Sequence, residues 1–104
     1  MRIMYKLQYL PLAQQDLRNI TFYISDTLKN PLAAIQLVDA FDHSISKLQE
    51  FPYAHKVYQT VEMLEKEYRI LPVKNYLVFY VVTEREIEIH RIVYAKRNLD
   101  RLFH

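Results

Sequence analysis

The chain of 104 residues has no glycine and no cysteine, only four prolines, and a net charge of just +2. Each shortage excludes something. Without glycine there is no P-loop, no G-x-G-x-x-G turn and no collagen-like repeat. Without cysteine there is no disulfide, no thiolate metal site and no thiol nucleophile, which fits a reducing cytoplasm. A charge so near balance means that any nucleic-acid role needs a local basic patch. The longest unbroken apolar run, Tyr76 to Val82, has seven residues, whereas a membrane-spanning helix needs about 20. Arg2 and Lys6 alternate with apolar residues and no hydrophobic region follows, so neither a signal peptide nor a membrane partner is expected.

What is present is an ordinary globular balance, 51% apolar and 25% charged, and the length suits one domain spanning 1–104. The hydrophobic period changes along the chain. Ile3, Tyr5, Leu7 and Tyr9 alternate with polar residues, which predicts a strand with one buried face. Pro11 ends it and suits the first turn of a helix. From residue 11 to 28 the apolar positions Ala13, Leu17, Ile20, Ile24 and Leu28 form one helical stripe. Lys29 favours the negative end of that helix, and Asn30 before Pro31 is expected to take a left-handed or capping conformation. A second helix follows to about Glu50, with the stripe Ala34, Val38, Phe41, Ile45 and Leu48, and Phe51-Pro52 stops it. So short a joint makes an antiparallel helical hairpin.

Residues 52–67 are irregular, with a short edge strand expected within His55–Val61 and a solvated turn or helical fragment around Glu62 to Glu67. Three β-rich runs come next, Tyr68–Val73, Tyr76–Val82 and Ile87–Tyr94, joined by Lys74-Asn75 and by the polar stretch Thr83–Glu86. Connections this short give an antiparallel meander, and Asn75 is the residue expected to tolerate a positive φ. Asn98 is placed to cap a last short helix carrying Leu99, Leu102 and Phe103 inward. The element order β-α-α-(β)-β-β-β-α predicts an α+β, two-layer fold: a helical hairpin on one face of a mostly antiparallel sheet. The other face must then be solvated or bound to something.

Residues that carry chemistry are sparse. His43, His55, His90 and His104 show no metal-ligand spacing, so no metal or cofactor is expected. His90 and His104 are the histidines for which a general-acid role stays open. The informative set is basic: Arg69, Lys74, Arg91, Lys96, Arg97 and Arg101. Alternation places Arg91 on one face with Ile89 and Val93, and the same parity reaches Arg97 if the strand runs on. The two guanidiniums would then lie about 20 Å apart and could not share one phosphate unless the chain bends near Ala95. Arginine grips phosphates and carboxylates bidentately. The plainer alternative is surface ion pairs with Glu86, Glu88 and Asp100.

The run Tyr68-Arg69-Ile70-Leu71-Pro72-Val73, then Asn75 to Val82, then Ile87 to Leu99, resembles the RelE/ParE superfamily of toxins from bacterial type II toxin–antitoxin modules. It is similar to that family's Y-R-x-x-x-V-x-N-Y-x-x-x-Y-x-V strand pair and its I-x-R-I-x-x-x-x-R-(D/N) ending. Leu12-Ala13, Asp16-Leu17 and Phe51-Pro52 match at the front end, so the resemblance spans nearly the whole chain.

The resemblance implies one of two activities. RelE-like members cleave mRNA on the ribosome, the 2′-hydroxyl attacking the adjacent phosphate, which needs cations and proton carriers. Carried over, Arg69 and Arg97 match two basic positions of that branch, with His90 or His104 as proton carrier. Leu71 and Leu77 stand where that branch has basic residues, and Phe103 stands where it has a tyrosine. ParE-like members instead bind and poison DNA gyrase. The Arg91-Ile92 pair, the Arg97-Asn98 ending and the apolar strand Leu77-Val78-Phe79-Tyr80 look more like that branch, so a ParE-like, plasmid-stabilisation-type inhibitor is the preferred expectation. Both branches imply a cognate antitoxin encoded in the same operon and a toxin–antitoxin hetero-oligomer. An exposed apolar sheet face with basic rims suits an acidic amphipathic segment. The residues expected to meet antitoxin or target are Leu77, Phe79, Val81, Arg91, Tyr94, Lys96 and Arg97.

Overall fold

The computed structural model describes residues 4–60, 64–97, 99 and 102–103. Strand β1 (Lys6–Tyr9) runs into helix α1 (Pro11–Phe22), with Pro11 at the first helical position as its fixed φ favours. Residues Tyr23–Thr27 continue α1 as a wider π-helical turn. Leu28 N–H donates to the Tyr23 carbonyl at 2.9 Å and Asn30 N–H to the Ile24 carbonyl at 3.0 Å. This widening rotates the end of the stripe. Ala13 is buried and Leu17, Ile20 and Ile24 pack on the core, but Leu28 is 54% exposed, contrary to its expected place on the buried stripe.

Helix α2 (Pro31–Ser46) is capped by Asn30, whose side-chain oxygen accepts from Ala33 N–H at 3.2 Å, and a single 3-10 turn (Lys47–Gln49) ends it. The left-handed residue between the helices is Lys29, at φ 56°. The α2 stripe carries Ala34, Phe41, Ile45 and Leu48 inward as expected, with Leu37 buried where Val38 was expected.

Strands β2 (Arg69–Val73), β3 (Tyr76–Val82) and β4 (Glu86–Tyr94) form the antiparallel meander. The sheet order is β1-β4-β3-β2, with β1 parallel to β4. In the β2–β3 turn the positive φ falls on Lys74, at 54°, not on Asn75. The edge strand expected within His55–Val61 reduces to one antiparallel bridge, Val57 to Arg69, flanked by Tyr58 N–H to the Tyr68 carbonyl and Ile70 N–H to the Lys56 carbonyl. Among the described residues, Leu64 to Glu67 form only bends. Leu99, Leu102 and Phe103 are not helical. Asn98, the expected cap, lies outside the described residues.

The core lies between the helices and one face of the sheet. Phe41, Ile45 and Leu48 meet Leu71, Val73, Val78, Tyr80, Ile87, Ile89 and Ile92. Burying a large aliphatic or aromatic side chain contributes roughly 1.5–3 kcal/mol, so this layer dominates stability. The buried Tyr80 keeps its hydroxyl satisfied by donating to the Pro52 carbonyl at 3.0 Å.

One irregularity resets the faces of β4. Phe79 pairs with Arg91 but Tyr80 pairs with Ile89, so His90 is an extra residue, a β-bulge. Beyond it the inward residue is Ile92 rather than Arg91. Arg91 therefore does not share a face with Ile89, as simple alternation predicted. It lies with Val93 and the alternate β3 residues Leu77, Phe79 and Val81 on the outer side.

Candidate functional site

The outer sheet side is less open than expected. Phe79 is 0% exposed, and Val81 and Val93 are also buried. Irregular segments cover Phe79: Tyr58 and Phe103 each meet its ring edge-on at 5.2 Å, and they lie against one another at 6.3 Å. Leu77 is half-buried. The apolar outer face expected from strand alternation is therefore not exposed at Phe79, because residues distant in the chain fold over it.

The bulge gives His90 a defined setting. Its Nε2 lies 3.1 Å from Glu88 Oε1, and its Nδ1 lies 3.5 Å from the Tyr68 hydroxyl. Phe103 stacks on the Tyr68 ring at 4.0 Å. Burial, with the nearby carboxylates Glu65 and Glu88, pushes the Tyr68 phenol above its ordinary range. The phenol therefore stays protonated near neutrality.

Arg69 does not join His90 in a common constellation. It pairs across the sheet with Tyr80, on the helix-facing side. Its guanidinium donates to the His55 carbonyl at 2.7 Å and to Glu67 at 3.2 Å, and it sits over the Tyr53 ring at 4.9 Å. Arg91 is engaged more fully. Its Nε and Nη2 donate to the two oxygens of Asp16 at 2.8 and 2.9 Å, and Asp16 also accepts from Ile92 N–H at 2.9 Å. Among the described residues the partner of Arg91 is Asp16 rather than Glu86 or Glu88, and Glu88 faces His90; Asp100 lies outside the described residues. The hydrogen bonds to Asp16 hold the Arg91 proton even more firmly than usual, against the opposing effect of burial.

Beyond Tyr94 the chain leaves the strand in a turn, with Ala95 N–H donating to the Asn75 carbonyl at 2.8 Å and Arg97 N–H to the Tyr94 carbonyl at 3.0 Å. The parity argument linking Arg91 to Arg97 ends at that turn. Arg97, Lys74 and Tyr94 instead line a groove of about 1280 Å³ between the helical hairpin and the sheet. Its helical wall includes Ile20, Tyr23, Ile24, Leu28, Ala33 and Leu37. Its sheet wall carries Tyr76, which meets Phe41 edge-on at 5.7 Å and Tyr94 at 5.8 Å. Lys96 is exposed beside it. Asp39 and His43 lie on the α2 side of the groove, so the cationic end is the one formed by Lys74 and Arg97. Of the residues expected from sequence to meet a partner, Tyr94 and Arg97 line this groove; its helical wall carries no such sequence signal, because an outward Tyr23 or Leu28 reads as an end-of-stripe residue.

Of the residues proposed from sequence, then, Tyr94 and Arg97 come together, with Lys96 adjacent. Leu77, Phe79 and Val81 share the outer face, Arg91 is tied to Asp16, and Arg69 and His90 sit apart. His104 lies outside the described residues. Among the described residues no cluster of three His, Cys, Asp or Glu side chains is placed to hold a metal ion, and no helix is long and apolar enough to cross a membrane.

This arrangement, a helical hairpin on one face of a four-stranded sheet with a parallel β1–β4 pair, is shared with a solved structure described as a chromosomal ParDE toxin–antitoxin system from P. aeruginosa. The TM-score is 0.73 at 21% identity, over 89% of this chain and 98% of that one. Residues 7–99 match the family model described as the ParE toxin of the type II toxin–antitoxin system parDE. A comparison with curated protein sequences found no match. The chain belongs to the ParE toxin family of type II toxin–antitoxin systems.

Proposed function

We propose that the protein is an inhibitory toxin that acts by binding its target, DNA gyrase, rather than by cleaving RNA. The observation that carries this reading is that two of the candidate nuclease groups, Arg69 and His90, are already engaged inside the chain. Arg69 is bonded to His55 and Glu67, and His90 faces Glu88. Phosphoryl transfer needs free donors aimed at the developing charge, and losing one typically costs several kcal/mol of barrier. Arg97 is exposed at the groove, whose lining includes neither Arg69 nor His90, so the candidate nuclease groups do not converge there. Gyrase as the target comes from the family's ParE-like branch, as does neutralisation by an antitoxin from the same operon.

We place the antitoxin in the groove between hairpin and sheet. Its volume, its apolar walls and its cationic end suit an amphipathic helix with acidic residues toward Lys74 and Arg97. The test of the target is direct. Purified protein should block supercoiling by gyrase and leave ribosome-bound mRNA intact. New 5′ ends near the A site, lost in Arg97→Ala, would instead establish the nuclease reading.

A further inference from the structure

The outer side of the helical hairpin carries apolar surface that the core does not use. Phe22 on α1 and Leu32 and Ile35 on α2 are each more than half exposed. Phe22 and Ile35 line a groove of about 600 Å³ between the two helices, whose lining also includes Ala34 and Val38. This groove and the one proposed for the antitoxin share a single lining residue, Asp39, so they are different faces of the hairpin. Apolar side chains clustered in this way mark an interaction surface. Three charged residues border them, Arg18, Asp26 and Asp39, and all three are exposed. Among the described residues none of the three is in an ion pair, and Arg18 donates to the Gln15 side chain at 2.9 Å.

The order of these charges fits one occupant. Arg18, Phe22 and Asp26 follow at four-residue steps, and all three line the groove, so the π-helical turn leaves Asp26 on the same side as Arg18. Phe22 is thus midway between a cation and an anion that lie roughly 12 Å apart along the helix. We propose that this face pairs with a second copy of the chain about a two-fold axis passing at Phe22. The two α1 helices then run antiparallel. Phe22 meets its counterpart, and Arg18 of each copy meets Asp26 of the other, which makes the contact self-complementary and closed. A parallel arrangement would set Arg18 against Arg18 and Asp26 against Asp26, which like charges oppose. An acidic segment, of the kind suited to the cationic end of the other groove, would meet Asp26 and Asp39 here, and a basic one would meet Arg18. Asp39 stands at the rim shared by the two grooves. The pairing depends neither on the gyrase reading nor on where the antitoxin binds.

Sedimentation velocity on the free full-length protein tests this. The wild type should shift with rising concentration from one chain mass to two, with a dissociation constant in the micromolar range. Arg18→Asp and Asp26→Arg each set like charges against one another across the axis. Each should weaken self-association by about tenfold or more, while the cooperative melt persists because both side chains are exposed. The two variants mixed in equal amounts should recover association, because one then supplies both anions and the other both cations. The double variant Arg18→Asp with Asp26→Arg should recover it within a single chain. A wild type that stays monomeric, single variants that associate as the wild type does, or a mixture that fails to recover association would each overturn the pairing.

Discussion

Asp16 in the middle of α1 and Arg91 just past the β4 bulge, 75 positions apart in the chain, form a two-pronged ion pair in which Asp16 also accepts from the Ile92 N–H. Strand β1 pairs with β4 only as far as Ile89, and Asp16 takes the Ile92 N–H beyond that pairing. Both side chains are largely shielded, at 12% and 16% exposure. Removing one partner leaves a charge in a poorly solvated place, which typically costs about 3–5 kcal/mol. Asp16→Asn and Arg91→Met should therefore each lower unfolding free energy by roughly 2–4 kcal/mol, a little less than a fully buried pair. The double variant should lose less than the sum of the two. A denaturant-melt cycle measures this, and simple additivity would show that the pair is not coupled.

With no glycine in the chain, two lysines among the described residues take left-handed backbone, Lys29 at φ 56° and Lys74 at φ 54°. A side chain in that region costs roughly 1–2 kcal/mol, which glycine avoids while giving back some unfolded-state entropy. Lys29→Gly should thus stabilise by about 0.5–1 kcal/mol, visible as a rise in Tm of a few degrees. Lys29→Ala, which keeps a Cβ, should give no such gain. Equal behaviour of the two variants would locate the effect in the lysine side chain rather than in the backbone.

These features mark where sequence reading stops. The two helices, the three meander strands and their layer order follow from period and punctuation, because each is set by residues a few positions apart. The bulge at His90 is not legible that way, since both parities along β4 present apolar residues, and one inserted position moves Arg91 off the face of Ile89. The Asp16–Arg91 pair has no local signature at all. Nor does the cover over Phe79, which joins Tyr58, Tyr68 and Phe103 from three irregular stretches. Of the candidate groove, the strand-end residues Tyr94 and Arg97 are legible in the sequence, whereas Leu28 is not, because the π-turn of α1 turns it into a groove wall.

Stability should peak between two titration limits. Burial lowers the His55 pKa below 6.5, so the unfolded chain takes that proton more readily. Its contribution is complete above about pH 6.5 and is lost as the pH falls below that value. The phenols of Tyr9, Tyr68, Tyr76 and Tyr80 are raised above 10.0, chiefly by burial. The folded protein holds those protons more tightly, so stability is complete below about pH 10 and declines as the pH rises past it. Denaturant melts from pH 5 to 11 should trace this plateau. His55→Gln should flatten the acid limb and Tyr76→Phe should shallow the alkaline one. An acid limb unchanged in His55→Gln would assign it to other groups.

The groove proposed for the antitoxin is tested at its exposed wall, not at Phe79, where a buried glutamate would unfold the sheet and report stability alone. Leu28 and Tyr94 are 54% and 46% exposed, so Leu28→Glu and Tyr94→Glu should leave Tm within a degree or two. If an amphipathic antitoxin helix lies there, each should weaken the complex with the neighbouring gene's product by about tenfold or more, the loss expected on placing a charge against a packed apolar contact. Arg97→Glu should weaken it through association rate and should make binding less sensitive to salt, because a rim charge steers encounter more than it holds the complex. Titration calorimetry with stopped-flow association separates these effects. Unchanged affinity in both Leu28→Glu and Tyr94→Glu would move the antitoxin off this groove, while leaving the gyrase assay to judge the toxin itself.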